Sequence, residues 1–171
     1  MKYFFIILLL SAASIDARNI NWYYLDKGYT KYSLHVKEAA IKFQLDEEFI
    51  CAWISWENPS WSPTRPGMGG RGMLQVKQGP LTAREGIMSG CAILAGYIRK
   101  NVAAKPNHDY IDHLLHALTM YNAGEAGAKR YGGINLYAYN VLKFWNLIEM
   151  KRIINEFEVK YECFRNQNEN H

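Results

Sequence analysis

The chain has 171 residues, 49% hydrophobic, 14% aromatic and 21% charged, enough for one domain with a substantial core but short for two. Twenty basic residues against sixteen acidic ones leave +4, too mild for a dedicated nucleic-acid binder or an acidic disordered tail. Five Trp, twelve Tyr and seven Phe suit a packed core or a cleft that stacks on flat rings, and they exclude collagen, coiled coil and polytopic membrane protein.

Residues 1–17 have the three-part pattern of a secretory signal peptide. Met1-Lys2 is a short basic start, Tyr3 to Leu10 is uniformly apolar, and Ser11 to Ala17 is small and polar. The apolar run falls well short of the ~20 residues that cross a bilayer, and no cysteine sits at the cleavage point to carry a lipid. Cleavage is expected after Ala13 or Ala17, and the latter leaves 154 residues at unchanged charge. The expected product is exported to the periplasm or the extracellular space, without a stable membrane anchor.

A lead-in over 18–32 precedes a predicted amphipathic helix from Ser33 to Phe43, with Leu34, Ala39, Ala40 and Phe43 amid Lys and Glu. Asp46 is a good N-cap for the next helix, with Glu47 and Glu48 in its first turn, where the dipole favours acids. Phe49 to Trp56 is almost wholly apolar, so this helix is buried, and it ends at Asn58-Pro59. Asn58 to Gly72 holds three prolines and four glycines and predicts a long irregular loop. Ala83 to Asn101 and Tyr110 to Met120 are helical in pattern, the second stopping at Asn122-Ala123-Gly124. Short extended pieces are expected at most near Met73 to Lys77. Leu136 to Tyr161 predicts one or two further helices, and 166–171 a frayed polar tail. The fold class is mainly α, in one domain.

Most candidate sites carry little. Gly67-Met68-Gly69-Gly70-Arg71-Gly72 fits GxGxxG literally, but Ser62-Pro63-Thr64-Arg65-Pro66 before it cannot be the strand a dinucleotide site needs. His108, Asp112 and His116 share a helix face at i, i+4, i+8. Nothing supplies further ligands or a second shell, so a polar face explains them better than a metal, and neither metal nor cofactor is expected. Cys51 and Cys91 lie in apolar helical runs and are expected as buried small hydrophobes. Cys163 lies in the polar tail, and the three permit at most one internal bridge. No His falls in a motif that would pair with any of them as a nucleophile's base.

Glu57 stands apart. It closes the apolar run Phe49-Ile-Cys-Ala-Trp-Ile-Ser-Trp-Glu57, with Trp53 one turn back and Trp56 adjacent. An acid at a helix C-terminus opposes the dipole, and desolvation raises its pKa. A carboxyl raised in this way is what a general acid near neutrality needs.

Ala52-Trp-Ile-Ser-Trp-Glu57, then Gly72-Met73-Leu74-Gln75-Val76, then Ala117-Leu-Thr-Met-Tyr121-Asn122-Ala123-Gly124, and finally Tyr137-Ala-Tyr139-Asn-Val141 occur in that order. Together they resemble the soluble lytic transglycosylase domain, with its E-S motif, its G-L-M-Q, its A-x-Y-N-x-G and its closing Tyr-Val segment. The resemblance covers about 33–145, with 146–171 as a C-terminal helix and polar tail.

It implies a lysozyme-like α fold, with the long Gly/Pro-rich loop after the catalytic helix, that cleaves the β-1,4 bond between N-acetylmuramic acid and N-acetylglucosamine in peptidoglycan. Glu57 takes the place of the catalytic acid, and the muramyl C6 hydroxyl attacks C1 to form a 1,6-anhydro ring. One carboxylate then suffices where most glycosidases need two. By the same matching, Asn58, Met73, Gln75, Tyr121, Asn122, Gly124 and Tyr139 border the cleft or face the sugar. Glycan strands are the implied partner, and a small wall opener would serve an envelope-spanning secretion or conjugation machine. Asn58 stands where the family usually has Ser, Trp61 where it tends to have Asn, and Glu125 where proline is frequent. The apolar pair of G-L-M-Q is exchanged. The alternatives are a lysozyme- or chitinase-like hydrolase, or a non-catalytic glycan binder of the same fold.

Overall fold

The computed structural model describes residues 22–65, 70–76, 82–130 and 134–149. The predicted signal peptide, Gly67 and Gly69 of the glycine motif, Cys163 and the polar tail lie outside these residues. Five helices make up the described chain: α1 Trp22–Phe43, α2 Glu47–Glu57, α3 Ala83–Ala104, α4 Tyr110–Arg130 and α5 over 136–149. Among the described residues the only β pairing is an isolated antiparallel bridge, Arg71 to Val76. The protein is mainly helical and forms a single domain.

Helix α2 is the hub, because every residue from Phe49 to Ser55 is buried. Its start follows from capping, with Phe49 N–H donating to Asp46 Oδ1 at 2.8 Å. Its end is fixed by Asn58, whose backbone N–H donates to Ile54 O at 2.7 Å just before Pro59. Helix α1 packs on α2 and α3, and α3 packs on α4. The core between them is built from Val36, Phe49, Ile50, Trp53, Ile54, Leu94, Leu114, Leu118 and Val141.

Helix α1 begins eleven residues earlier than predicted, at Trp22 rather than Ser33. Leu25, Tyr32, Val36 and Ala39 give it one buried stripe, and Gly28, a helix-breaker on propensity, is tolerated because the Trp61 ring lies against it. A Cβ at position 28 would collide with that ring. Helix α3 starts in a capping box between Thr82 and Glu85 and runs three residues past the predicted Asn101. Gly124 does interrupt α4, at φ 72 and ψ 168, but helical turns resume behind it as far as Arg130.

The start of α5 is tied to α4 through Asn135. Its Oδ1 accepts Ala138 N–H at 3.0 Å as an N-cap, its backbone N–H donates to Thr119 Oγ1 at 3.1 Å, and its Nδ2 donates to Asn122 Oδ1 at 3.1 Å. These bonds fix which side of α5 faces α2. No described helix is long and apolar enough to cross a membrane.

Candidate functional site

Glu57 ends α2 partly buried, against Tyr137 from α5. The Tyr137 hydroxyl donates to Glu57 Oε1, and the Trp53 indole N–H donates to the Tyr137 oxygen at 2.8 Å. Burial pushes the Glu57 carboxyl above its usual range, while the Tyr137 and Trp53 donors pull it back down. The net direction is upward. Tyr121 completes the surroundings from α4: its ring meets Trp53 edge-on at 4.7 Å, and the Glu57 charge helps to raise its own pKa, behind burial. Tyr137 is likewise pushed up, first by burial and then by Glu57.

The segment after α2 folds back onto this end of the helix. Asn58 is 0% exposed. Its Nδ2 donates to Ser62 O at 2.6 Å and to Gly72 O at 3.1 Å, and its Oδ1 accepts Ser60 Oγ at 3.0 Å and Ser62 N–H at 3.3 Å. Trp61 is anchored the same way, its Nε1–H donating to Ser55 Oγ at 3.0 Å. Leu74 O accepts the Tyr121 hydroxyl at 2.6 Å. The Gly72–Gln75 turn is thereby pinned between α2 and α4.

The residues expected at a cleft, Tyr139 apart, divide into three groups. Tyr121 and Gln75 are partly exposed beside Glu57's neighbours. Gln75 sits at φ 51, its Nε2 donates to Gly72 O at 3.0 Å, and its buried Oε1 has no partner. Asn58 and Met73 are fully buried, so neither can touch a ligand: Asn58 ties the loop and Met73 fills the space beneath it. Asn122 is exposed and holds Asn135, and Gly124 supplies a positive-φ bend with open space around its Cα.

Tyr139 is 49% exposed, and the tyrosine that reaches Glu57 is Tyr137. Two residues apart on a helix point to nearly opposite sides, so only one of the pair can face inward. The signal that selects Tyr137 is the Asn135 cap, which sets the phase of α5. The role of Trp53 as a hydrogen-bond donor is not visible in the sequence, since indole burial alone does not say what the N–H meets.

Other titratable groups are engaged elsewhere. Glu85 belongs to the Thr82 capping box, and Glu125 pairs with Lys100 at 2.6 Å. His108 Nδ1 lies 3.8 Å from Asp112 Oδ2, and its ring stacks on His113 at 6.1 Å. Among the described residues no group of three or more His, Cys, Asp or Glu is placed to hold a metal ion. Cys51 and Cys91 are buried free thiols, and burial pushes the Cys91 thiol up to about 12. An open groove of about 690 Å³ lies between α1, the start of α2 and α5, and Glu57 does not line it. Its walls carry Asp46 and Glu47, already occupied as the α2 cap and as acceptor for Tyr29. The desolvated acid with its two donors, rather than this groove, marks the chemically poised place. No known family model matches the chain.

Proposed function

We propose that the protein is an exported glycan-cleaving enzyme with a lysozyme-like fold, a lytic transglycosylase acting on the MurNAc-β-1,4-GlcNAc bond of peptidoglycan, with Glu57 as its general acid. The observation that carries this reading is Glu57 itself, a carboxyl raised by burial at the end of an apolar helix and oriented by a tyrosine hydroxyl. All four motifs behind the resemblance contribute here: α2 ends at Glu57, Leu74 O is bonded to Tyr121, and Tyr137 comes from the closing segment.

Protonated Glu57 gives its proton to the glycosidic oxygen as the C1–O bond breaks. The resulting carboxylate then takes the proton of the muramyl C6 hydroxyl as that oxygen attacks C1, closing the 1,6-anhydro ring and restoring the acid. Tyr137 stabilises the intervening carboxylate. The engagement of Glu85 and Glu125 in a helix cap and an ion pair favours a mechanism that draws on one carboxylate. Partly exposed Trp56 offers a ring on which an apolar sugar face stacks. Service to a secretion or conjugation machine is the corresponding cellular role.

Mass spectrometry of peptidoglycan digested by the wild type and by Glu57→Gln tests this. Muropeptides lighter by one water than reducing-end products are expected from the wild type, and at least ~100-fold less product from the variant. Reducing ends would instead establish the hydrolase, and equal activity in the variant would remove Glu57 from the chemistry.

A further inference from the structure

Trp53 is the largest fully buried side chain in the described protein, and its single polar atom meets the hydroxyl that holds Glu57. Phe49 stacks on its ring at 5.9 Å and Tyr121 meets it edge-on at 4.7 Å, so the direction of the indole N–H is fixed. A phenol has one hydrogen to give and an oxygen that accepts. The indole N–H and the Glu57 carboxyl hold the Tyr137 oxygen from two sides. Turning the phenol hydrogen away from Glu57 brings it towards a second donor.

That constraint reaches the acid. A protonated carboxyl can carry its proton on either oxygen. A proton on Oε1 would face the Tyr137 hydrogen, which Trp53 prevents from turning aside. The remaining position is Oε2, the oxygen Tyr137 leaves free for a leaving group.

We infer that Trp53 is a positioning residue which, through Tyr137, confines the acidic proton of Glu57 to the carboxyl oxygen that can reach the scissile bond. The inference rests on Glu57 being the general acid. The titratable group acting on Glu57 is Tyr137 from α5, while Tyr121 from α4 is itself raised in part by the Glu57 charge; both tyrosines are held above the usual range chiefly by burial. Neither changes charge where the carboxyl titrates.

The test compares wild type, Trp53→Phe, Tyr137→Phe and the double variant by two readouts. One is a ¹³C NMR titration of the Glu57 carboxyl, which needs no substrate; the other is kcat and KM on peptidoglycan. Trp53→Phe should move the Glu57 midpoint upward, because the donor chain supporting the carboxylate has lost its outer member. It should lower kcat about fivefold, the scale of one net hydrogen bond, at nearly unchanged KM. In the Tyr137→Phe background the same substitution should move the midpoint and kcat clearly less, because only the direct pull of the indole N–H on Glu57 remains to be lost. Equal effects with and without Tyr137 would mean that Trp53 acts by packing alone, and would overturn the inference.

Benzothienylalanine placed at position 53 keeps the ring's shape and removes only the N–H. It should reproduce Trp53→Phe, and wild-type behaviour in that variant would also overturn the inference. A Tyr137-dependent midpoint shift in a protein that cleaves no glycan would uphold the hydrogen-bond chain while refuting the enzyme reading, so the two failures are distinguishable.

Discussion

Burial, a helix C-terminus and two hydrogen-bond donors act on the Glu57 carboxyl in opposite senses. Desolvation is the largest and favours the neutral form, while Tyr137 and Trp53 favour the charged one. A group whose folded pKa lies above its unfolded value destabilises the fold as pH rises past the unfolded value of 4.5. Ionised Glu57 therefore costs stability at neutral pH. Glutamine keeps an oxygen for Tyr137 and removes the charge. Glu57→Gln should be at least as thermally stable as the wild type at pH 7, with any advantage gone near pH 4, in circular-dichroism melts at both values. A variant less stable at pH 7 would identify the carboxylate as a structural anchor, which is the opposite of a site held under strain for function.

At the scale of elements, the turn beside Glu57 is held by close approach rather than by regular pairing. Gly90 of α3 faces Leu74, and a Cβ there would come within 2.7 Å of Leu74 Cβ and 2.6 Å of its Cδ1. The Cβ contact cannot be relieved by a rotamer change. Gly90→Ala should cost ~1–3 kcal/mol in urea unfolding, the usual range for an overpacked core. It should also lower activity, because Leu74 O is the acceptor for Tyr121.

The reach and limits of the sequence show in these same elements. Asp46 and the apolar run behind it specify α2 locally, through a cap and burial. The extent of α1 was not local information, since Gly28 reads as a breaker until Trp61, thirty-three residues later in the chain, is known to pack against it. Asn58 reads as a cleft residue by its place next to the acid, yet its amide ties the loop. The choice of Tyr137 over Tyr139 depends on the tertiary bonds of Asn135. An acid set in an apolar helix is legible from composition alone; which hydroxyl meets it depends on helix phase.

For the molecule as a whole, acid works in two directions. Arg84 holds the Glu38 carboxyl below its usual range and links α3 to α1; Thr82 does the same for Glu85 at the start of α3, and Lys100 for Glu125 between α3 and α4. A carboxyl depressed by folding contributes stability above its unfolded pKa and loses it as pH falls through the folded one. All three are exposed, so each contribution is small and weakened by salt, but together they fasten the helices that frame the site. Glu57 shifts the other way, and in the proposed mechanism it serves as an acid only when protonated. Activity should therefore rise as pH falls from alkaline values towards the raised Glu57 midpoint, and fall once the helix-fastening pairs begin to protonate. Melting temperature should decline from about pH 5 downwards, more gently in 0.5 M salt, where less ion-pair stability remains to lose. Parallel profiles of activity and melting temperature across the alkaline limb would mean that unfolding, not the ionisation of Glu57, sets the upper edge. Separated profiles there, with activity lost while the fold persists, are the expected result.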